Sequence, residues 1–548
     1  MDRARLAAVA QGKLPADRLL RGAKILNVFT SQVEEGDVAI ADGHIAGIGA
    51  GYEAAAAEDL RGLTLLPAFM DAHIHLESTL LAPAAFARVT VPHGTSAVVI
   101  DPHEIGNVLG PSGVLGLLEA GHDLPLDLLV GVPSCVPVLS RESAGAEIAE
   151  ADVRALLQRP DVVGLAEVMS FGAVIDGDPS PLAKIAAAEA AGKAVDGHAP
   201  GLRGRRLDAY LAAGPASDHE CTTLAEAREK LAKGMWIYIR EASLARNLDA
   251  LAPLLLEQGS RRCCLVSDDL TAETLCSEGH VDRLLRRAVD CGVPPADAVR
   301  AVTLNVADRF ALRRRGAIAP GYRADVVAVE DLRQFAVTAV WKAGRPVARD
   351  GRILCPVPDR AIHGAWGTVR LGTLTPGSFG LPAAPTDVIE VAPGEILTHQ
   401  GPPGPDALRL AVVERHRASG RVGLGWVRGF GPLNGAIGST IAHDSHNLIL
   451  AGSNADDLLT VARALAKAGG GLAVAAQGQI RSLLPLPIAG LMSDRSATEV
   501  LEGLKALHAA YHALGGTLDQ PFVVLSFLAL PVIPEIRVTD RGVVRVPA

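Results

Sequence analysis

The sequence predicts an α/β protein: a TIM-like (β/α)8 barrel, a small β-sandwich built from the segments on both of its flanks, and an additional C-terminal α/β domain. Three observations carry this expectation. Apolar strand candidates alternate with Ala/Leu-rich helical stretches through about 250 residues, the pattern of a parallel sheet closed by crossover helices. Short strand-like segments before and after that region read as two halves of one unit. A Pro/Gly-rich stretch then leads into a further region with strands and helices of its own.

Residues 1–61 form the expected first half of the sandwich. Segments 23–29 and 37–40 read as strands, and Ala41-Asp-Gly43 is a hairpin turn signal leading into 44–48. The barrel is expected over 62–315. Its strand candidates are 64–75, 97–100, 127–130, 162–165, 193–195, 216–219, 235–239 and 263–266, with helices such as 182–191 and 223–233 between them. A doubly wound open sheet is the other arrangement for such alternation, but no Gly-x-Gly-x-x-Gly phosphate loop follows the first strand. Residues 316–370 return as the second half of the sandwich, and 371–405 read as a linker. The third domain, 406–548, has strand candidates at 407–415, 448–451, 472–476 and 533–538. Its helix candidate, 456–469, runs into three glycines, a good stop.

Composition narrows the function. Of 548 residues, 49% are hydrophobic and 21% charged, as in a well-buried globular protein. A formal charge of −9 offers no basic face to nucleic acid or an anionic membrane, whereas a single nucleobase needs only a pocket. The seven cysteines show no Cys-x-x-Cys spacing, which argues against a zinc ribbon or a disulfide framework and favours a reducing compartment. The first 20 residues lack a signal-like apolar core. Segment 522–533 is interrupted by Pro531 and falls short of the ~20 residues a spanning helix needs. The expected location is the cytoplasm.

The most informative motif is Asp71-Ala-His73-Ile-His75, directly after the apolar stretch 63–70. Two His at i and i+2 on a strand share one face, so both imidazoles enter one cavity. Glu167, His198, His219 and Asp268 each lie at the end of another strand candidate, and barrel strand ends converge on one mouth. Imidazole and carboxylate without thiolate suit Zn, Mn or Fe. Such a set can hold two ions about 3.5–4 Å apart and acidify a water between them. Asp218-His219 and Asp268-Asp269 also suit helix caps. Glu167, inside Leu165-Ala-Glu-Val-Met169, is costly to bury unless paired or metal-bound.

Further motifs point to a family. They include Pro67-Ala-Phe-Met-Asp-Ala-His-Ile-His-Leu-Glu-Ser78, Asp101-Pro-His-Glu-Ile-Gly-Asn-Val-Leu-Gly110, Asp196-Gly-His-Ala-Pro-Gly201 and Ser217-Asp-His-Glu-Cys-Thr-Thr223. In the third region, Gly435-Ala-Ile-Gly-Ser-Thr-Ile-Ala-His-Asp-Ser-His-Asn447 and Leu484-Pro-Leu-Pro-Ile-Ala-Gly-Leu-Met-Ser-Asp494 continue them. Over nearly its whole length the chain resembles the adenine deaminase family of the metal-dependent amidohydrolase superfamily. The resemblance implies hydrolytic deamination of adenine to hypoxanthine and ammonia, with two divalent ions, Mn or Fe foremost and Zn open. It implies that Glu167 bridges them where many relatives carry a carboxylated Lys, and that His73, His75, His198, His219 and Asp268 are the other ligands. Two departures bear on loop shape: Leu270-Thr-Ala-Glu-Thr follows Asp269 where relatives commonly have a His-Pro-type sequence, and Ala242 stands where Gly is usual.

In the expected reaction, water activated by the metals attacks C6 of the purine, and Asp268 moves its proton towards the leaving amine. Ring nitrogen N1 must gain a proton; Glu104, or in second place Glu77, is the candidate acid. Glu104 equally suits a partner that orients a ligand imidazole. His103 faces metal or purine. His443, Asp444, His446 and Asn447 are expected either as a turn network or as a cap that contacts the base. No Pro-Cys-x-x-Cys of the nucleic-acid deaminases is present. The alternatives are an amidohydrolase of another cyclic amide or amidine and a non-catalytic barrel scaffold. Expected partners are a purine base, water and further copies of the chain in a homo-oligomer, a dimer or higher, with no nucleic acid and no membrane.

Overall fold

A computed structural model describes residues 2–138, 142–381, 388–391, 398–402, 404–532 and 535–546. The two flanks pair as expected, but into one sheet of nine strands rather than two facing sheets. Ala16–Asn27 runs antiparallel to Gln32–Ala41, which turns into His44–Ile48 through Asp42 and Gly43 at φ +48° and +72°. Val326–Val329 joins this flank along Thr64–Pro67 and carries the ladder on to Val337–Lys342 and Arg345–Arg349. Leu20, Ile25, Ile40, Leu65 and Trp341 from both flanks bury against one another, so the sheet curls around its own core.

Segment 64–75, expected as one strand, divides in two. Thr64–Pro67 belongs to the flank sheet and Phe69–Ile74 opens the parallel set. The change of sheet follows Pro67, which has no N–H to give a ladder.

Eight parallel strands then follow in chain order. Phe69–Ile74, Thr95–Ile100, Asp127–Val132, Val162–Val168 and Ala194–Gly197 form one ladder; Ser217–Asp218, Trp236–Arg240 and Cys263–Val266 form a second. Backbone hydrogen bonds cross both gaps. Ala216 N donates to Val195 O at 3.1 Å, and Asp268 N donates to His73 O at 3.0 Å. Every residue of Val162–Val168 is buried, as expected of a strand covered on both faces. Helices Pro179–Ala190 and Leu224–Ala232 pack outside, capped by the side chains of Asp178 and Thr223.

The C-terminal sheet has eight strands and begins earlier than expected. Val388–Val391 and Thr398–Gly401 pair with each other, and the former runs parallel to Val422–Arg428, so segment 371–405 is not a plain linker. Residues 382–387, 392–397 and 403 of that segment lie outside the described residues. Leu408–Val413, Leu448–Gly452 and Gly471–Ala476 match the expected strands, and Ala455–Ala468 ends at Gly469, φ +78°. Candidate 533–538 corresponds to Glu535–Thr539, its first two residues lying outside the described ones. Among the described residues, no helix is long and apolar enough to cross a membrane.

Trp341 is fully buried where the two flanks meet, with Nε1 3.3 Å from Glu58 Oε1. Trp341→Ala is expected to cost about 3–5 kcal/mol of stability, the range for emptying a buried aromatic site. Urea denaturation followed by circular dichroism would measure it.

Candidate active site

The six expected donors come from five strand ends. His73 lies in Phe69–Ile74 and His75 just beyond it, both on one face; Glu167 lies in Val162–Val168. His198 and His219 directly follow their strands, and Asp268 stands two residues past Val266. Asp268 has φ +54°, a backbone conformation uncommon for residues other than Gly. All but His198 are buried, and His198 is half-buried.

They meet closely. Glu167 Oε2 is 2.6 Å from His198 Nδ1 and 3.1 Å from His219 Nε2, while Oε1 is 3.5 Å from His75 Nε2. Asp268 Oδ1 is 3.2 Å from His73 Nε2 and 3.1 Å from His75 Nε2. The donor atoms of His73, Glu167 and His219, and those of His73, His75 and Asp268, each lie within 4.8 Å of one another. His73 Nε2 is buried without an aligned hydrogen bond, a nitrogen in want of a partner. A divalent ion fits both the donor chemistry and that orphan atom.

Burial alone would push both carboxyls up. For Glu167 the charge and hydrogen bonds of His219 and His198 prevail, and for Asp268 the close approach of His73 and His75 and the charge of Arg240 do. Both are held well below the usual carboxylate range. Asp218 is not a helix cap. It accepts Lys230 Nζ at 2.8 Å and Ala199 N at 2.8 Å, bracing the loops that carry His198 and His219.

The third domain closes over these donors. One cavity of about 570 Å3 is lined by His75, Glu167 and Asp268 from the parallel strands and by His443, Asp444 and Phe527 from the C-terminal domain. Glu104, on helix His103–Leu109, reaches the same wall. Its Oε1 is 3.0 Å from His443 Nδ1, and its Oε2 contacts His446 Nε2. His103 sits between the clusters, with Nδ1 3.2 Å from Asp101 Oδ1 and Nε2 3.4 Å from Glu104 Oε1 and 3.8 Å from Asp444 Oδ1.

Four expected roles do not suit this geometry. Glu104 is ringed by imidazoles: burial would raise it, but the charge of His443 foremost, with that of His103 and the contact of His446, holds it well below its usual range, so it keeps no proton to give. Glu77 lies behind the wall, accepts Ile105 N at 3.1 Å, and burial together with the Glu104 charge raises it to about 7. Asn447 does not line the cavity. Its side chain donates to Ser143 O at 2.8 Å and accepts Arg415 N at 3.3 Å, tying the domains together. His446 likewise stands behind Glu104 rather than in the cavity.

Sequence reasoning missed Arg240. At the end of Trp236–Arg240 it places Nη1 3.2 Å from Asp268 Oδ2 and also pairs with Glu220. A cation ending an apolar strand was the available signal. Phe527 was missed too. It stacks on His443 with centroids 4.7 Å apart, and nothing in its local sequence marks it.

Residues 64–347 match the model of the amidohydrolase family, and 388–548 match that of the adenine deaminase C-terminal domain. An adenine deaminase of Desulfatibacillum aliphaticivorans is 44% identical, with 98% of this chain and 97% of the relative covered. One of Nitratidesulfovibrio vulgaris is 45% identical over 98% and 96%. One of Halalkalibacterium halodurans is 41% identical over the same shares. With the donors, the roofing domain and the full-length likeness in agreement, this chain belongs to the adenine deaminase family of the amidohydrolases.

Proposed function

We propose that the protein deaminates adenine hydrolytically, giving hypoxanthine and ammonia. In this reading the eight parallel strands close as a (β/α)8 barrel whose mouth the C-terminal domain roofs. The observation that carries it is the single cavity in which a metal-type donor set from the strands faces imidazoles from a domain of the adenine deaminase type. Full-length relatives named adenine deaminase support it.

His73, His75, Glu167, His198, His219 and Asp268 would hold two divalent ions, manganese or iron. Bound there, the ions supply Lewis acidity that lets water lose a proton near neutral pH. Glu167 keeps His198 and His219 aimed at the centre. Asp268 accepts a proton from the attacking water and passes it to the exocyclic amine, and Arg240 at Oδ2 keeps the carboxylate ionised to do so. The apolar lining, including Phe527, Leu530 and Ile441, excludes bulk water from the base.

Reconstitution with Mn, Fe or Zn after chelation, followed by ultraviolet absorbance of adenine, tests the reading. Turnover is expected only in the metal-loaded protein. Hydrolysis of hydantoin or dihydroorotate without action on adenine would overturn it. Asp268→Asn is expected to lower kcat by about 10²–10⁴-fold with circular dichroism unchanged; near-normal turnover would remove Asp268 from the chemistry.

A further inference from the structure

Attack at C6 leaves an electron pair on N1 that only a proton can settle, and the strand ends offer no acid for it. Glu104 accepts hydrogen bonds on both oxygens. His446 cannot reach the base, since it does not line the cavity. We propose that His443, supplied by the C-terminal domain, is the catalytic acid: its Nε2 proton goes to N1 of the purine while Glu104 at Nδ1 fixes the tautomer and balances the charge. The proposal rests on the adenine deamination reading above.

Four observations support it. The His443 ring lines the same cavity as Asp268 and Glu167. Nδ1 faces Glu104 at 3.0 Å, and among the described residues Nε2 has no protein partner. The ring is fixed by stacking on Phe527, 17° from parallel, and by its backbone N, which donates to Ser526 O at 3.0 Å. Its charged surroundings are one-sided: Glu104 from helix His103–Leu109, Asp269 beyond the eighth strand, and Asp444 at 3.9 Å on its own segment. His446, with its ring 5.5 Å away, and His103, 3.4 Å from the same Glu104 oxygen, are further titratable neighbours, and burial lowers His446 to about 4. Burial would lower His443 as well, but Glu104 foremost among the carboxylates raises it to about 9, so it is an imidazolium near neutrality. A carboxylate behind one imidazole nitrogen and substrate before the other is the arrangement that orients an acid–base histidine.

The protons balance. The water oxygen bonds to C6, one water proton passes to Asp268, and the C6–N1 π pair takes the His443 proton. Asp268 then protonates the exocyclic nitrogen, the C6–N6 bond breaks, and ammonia leaves. The remaining hydroxyl proton passes to Asp268 and on to solvent as the carbonyl forms, and His443 recovers one from solvent. The sum is adenine and water in, hypoxanthine protonated at N1 and ammonia out.

His443→Gln and His443→Ala, both metal-loaded, would be compared with the wild-type protein on adenine. The expected result is a kcat loss of about 10²–10⁴-fold with KM within threefold, unchanged metal content and circular dichroism, and rescue of His443→Ala by added imidazole in proportion to its protonated fraction. A kcat within threefold of wild type in His443→Gln overturns the proposal. So does a slow His443→Ala that imidazolium does not accelerate. Wild-type protein inactive on adenine would instead end the deaminase reading, so the two failures are distinguishable.

Discussion

Negative charge without water is the constraint around which the molecule is arranged. Glu104, Glu167 and Asp268 are each 2–3% exposed, and an ionised carboxylate so placed costs several kcal/mol unless its surroundings answer it. Each is answered differently: Glu167 by His198 and His219, Asp268 by His73, His75 and Arg240, Glu104 by His443 and His446. Glu77 and Glu142 show what happens otherwise. Burial raises both, Glu77 to about 7 with the Glu104 charge adding to it, and Glu142 well above its usual range with the Asp444 charge adding to it. Equal burial thus yields acceptors in one set and protonated acids in the other.

One of those answers comes from another domain, which makes the cavity a joint product. The segment with His443 and His446 needs support of its own. It comes from Arg415, a fully buried guanidinium that among the described residues makes no ion pair. Arg415 donates to the backbone O of His446, to Ala489 O at 3.0 Å and to Thr368 Oγ1 at 3.4 Å. Burial lowers it to about 9, so it still carries its charge at neutral pH. Gly490 yields the room: a Cβ there would stand 2.6 Å from Arg415 Nη1, and its φ of +72° suits glycine. Ser143 adds a second tie, with N and Oγ 2.9 and 2.8 Å from the Asp540 carboxylate.

The strands and the donors at their ends were legible in the sequence because a strand buried on both faces is a bare apolar run, and a polar residue ending it stands out. His73, His75, Glu167 and Asp268 were readable for that reason. Val388–Val391 and Thr398–Gly401 were not, being four residues each among Pro and Gly, with a pairing that lies across the sheet rather than in local sequence. The division at Pro67 was hidden because two adjoining strands, one in each sheet, are both wholly buried. Glu104 was left between two roles, an acid and a partner that orients an imidazole, for a related reason. Its role depends on His446, 342 positions away, and a carboxyl read without its partners looks like an acid.

Spacing alone would not separate ion ligands from a hydrogen-bonded cluster here. The donor atoms of Glu104, His443 and His446 also lie within 4.8 Å of one another, as do those of the strand-end sets. Hydrogens decide the matter. His446 Nδ1 accepts from Ala442 N at 3.3 Å, and burial keeps the ring neutral. A neutral imidazole that accepts at Nδ1 carries its hydrogen on Nε2, the nitrogen turned to Glu104, and a protonated nitrogen has no lone pair for a cation. His73 is the opposite case, with its buried Nε2 lacking an aligned partner. The orphan Nε2 of His73 is thus open to an ion, whereas His446 presents its proton to Glu104.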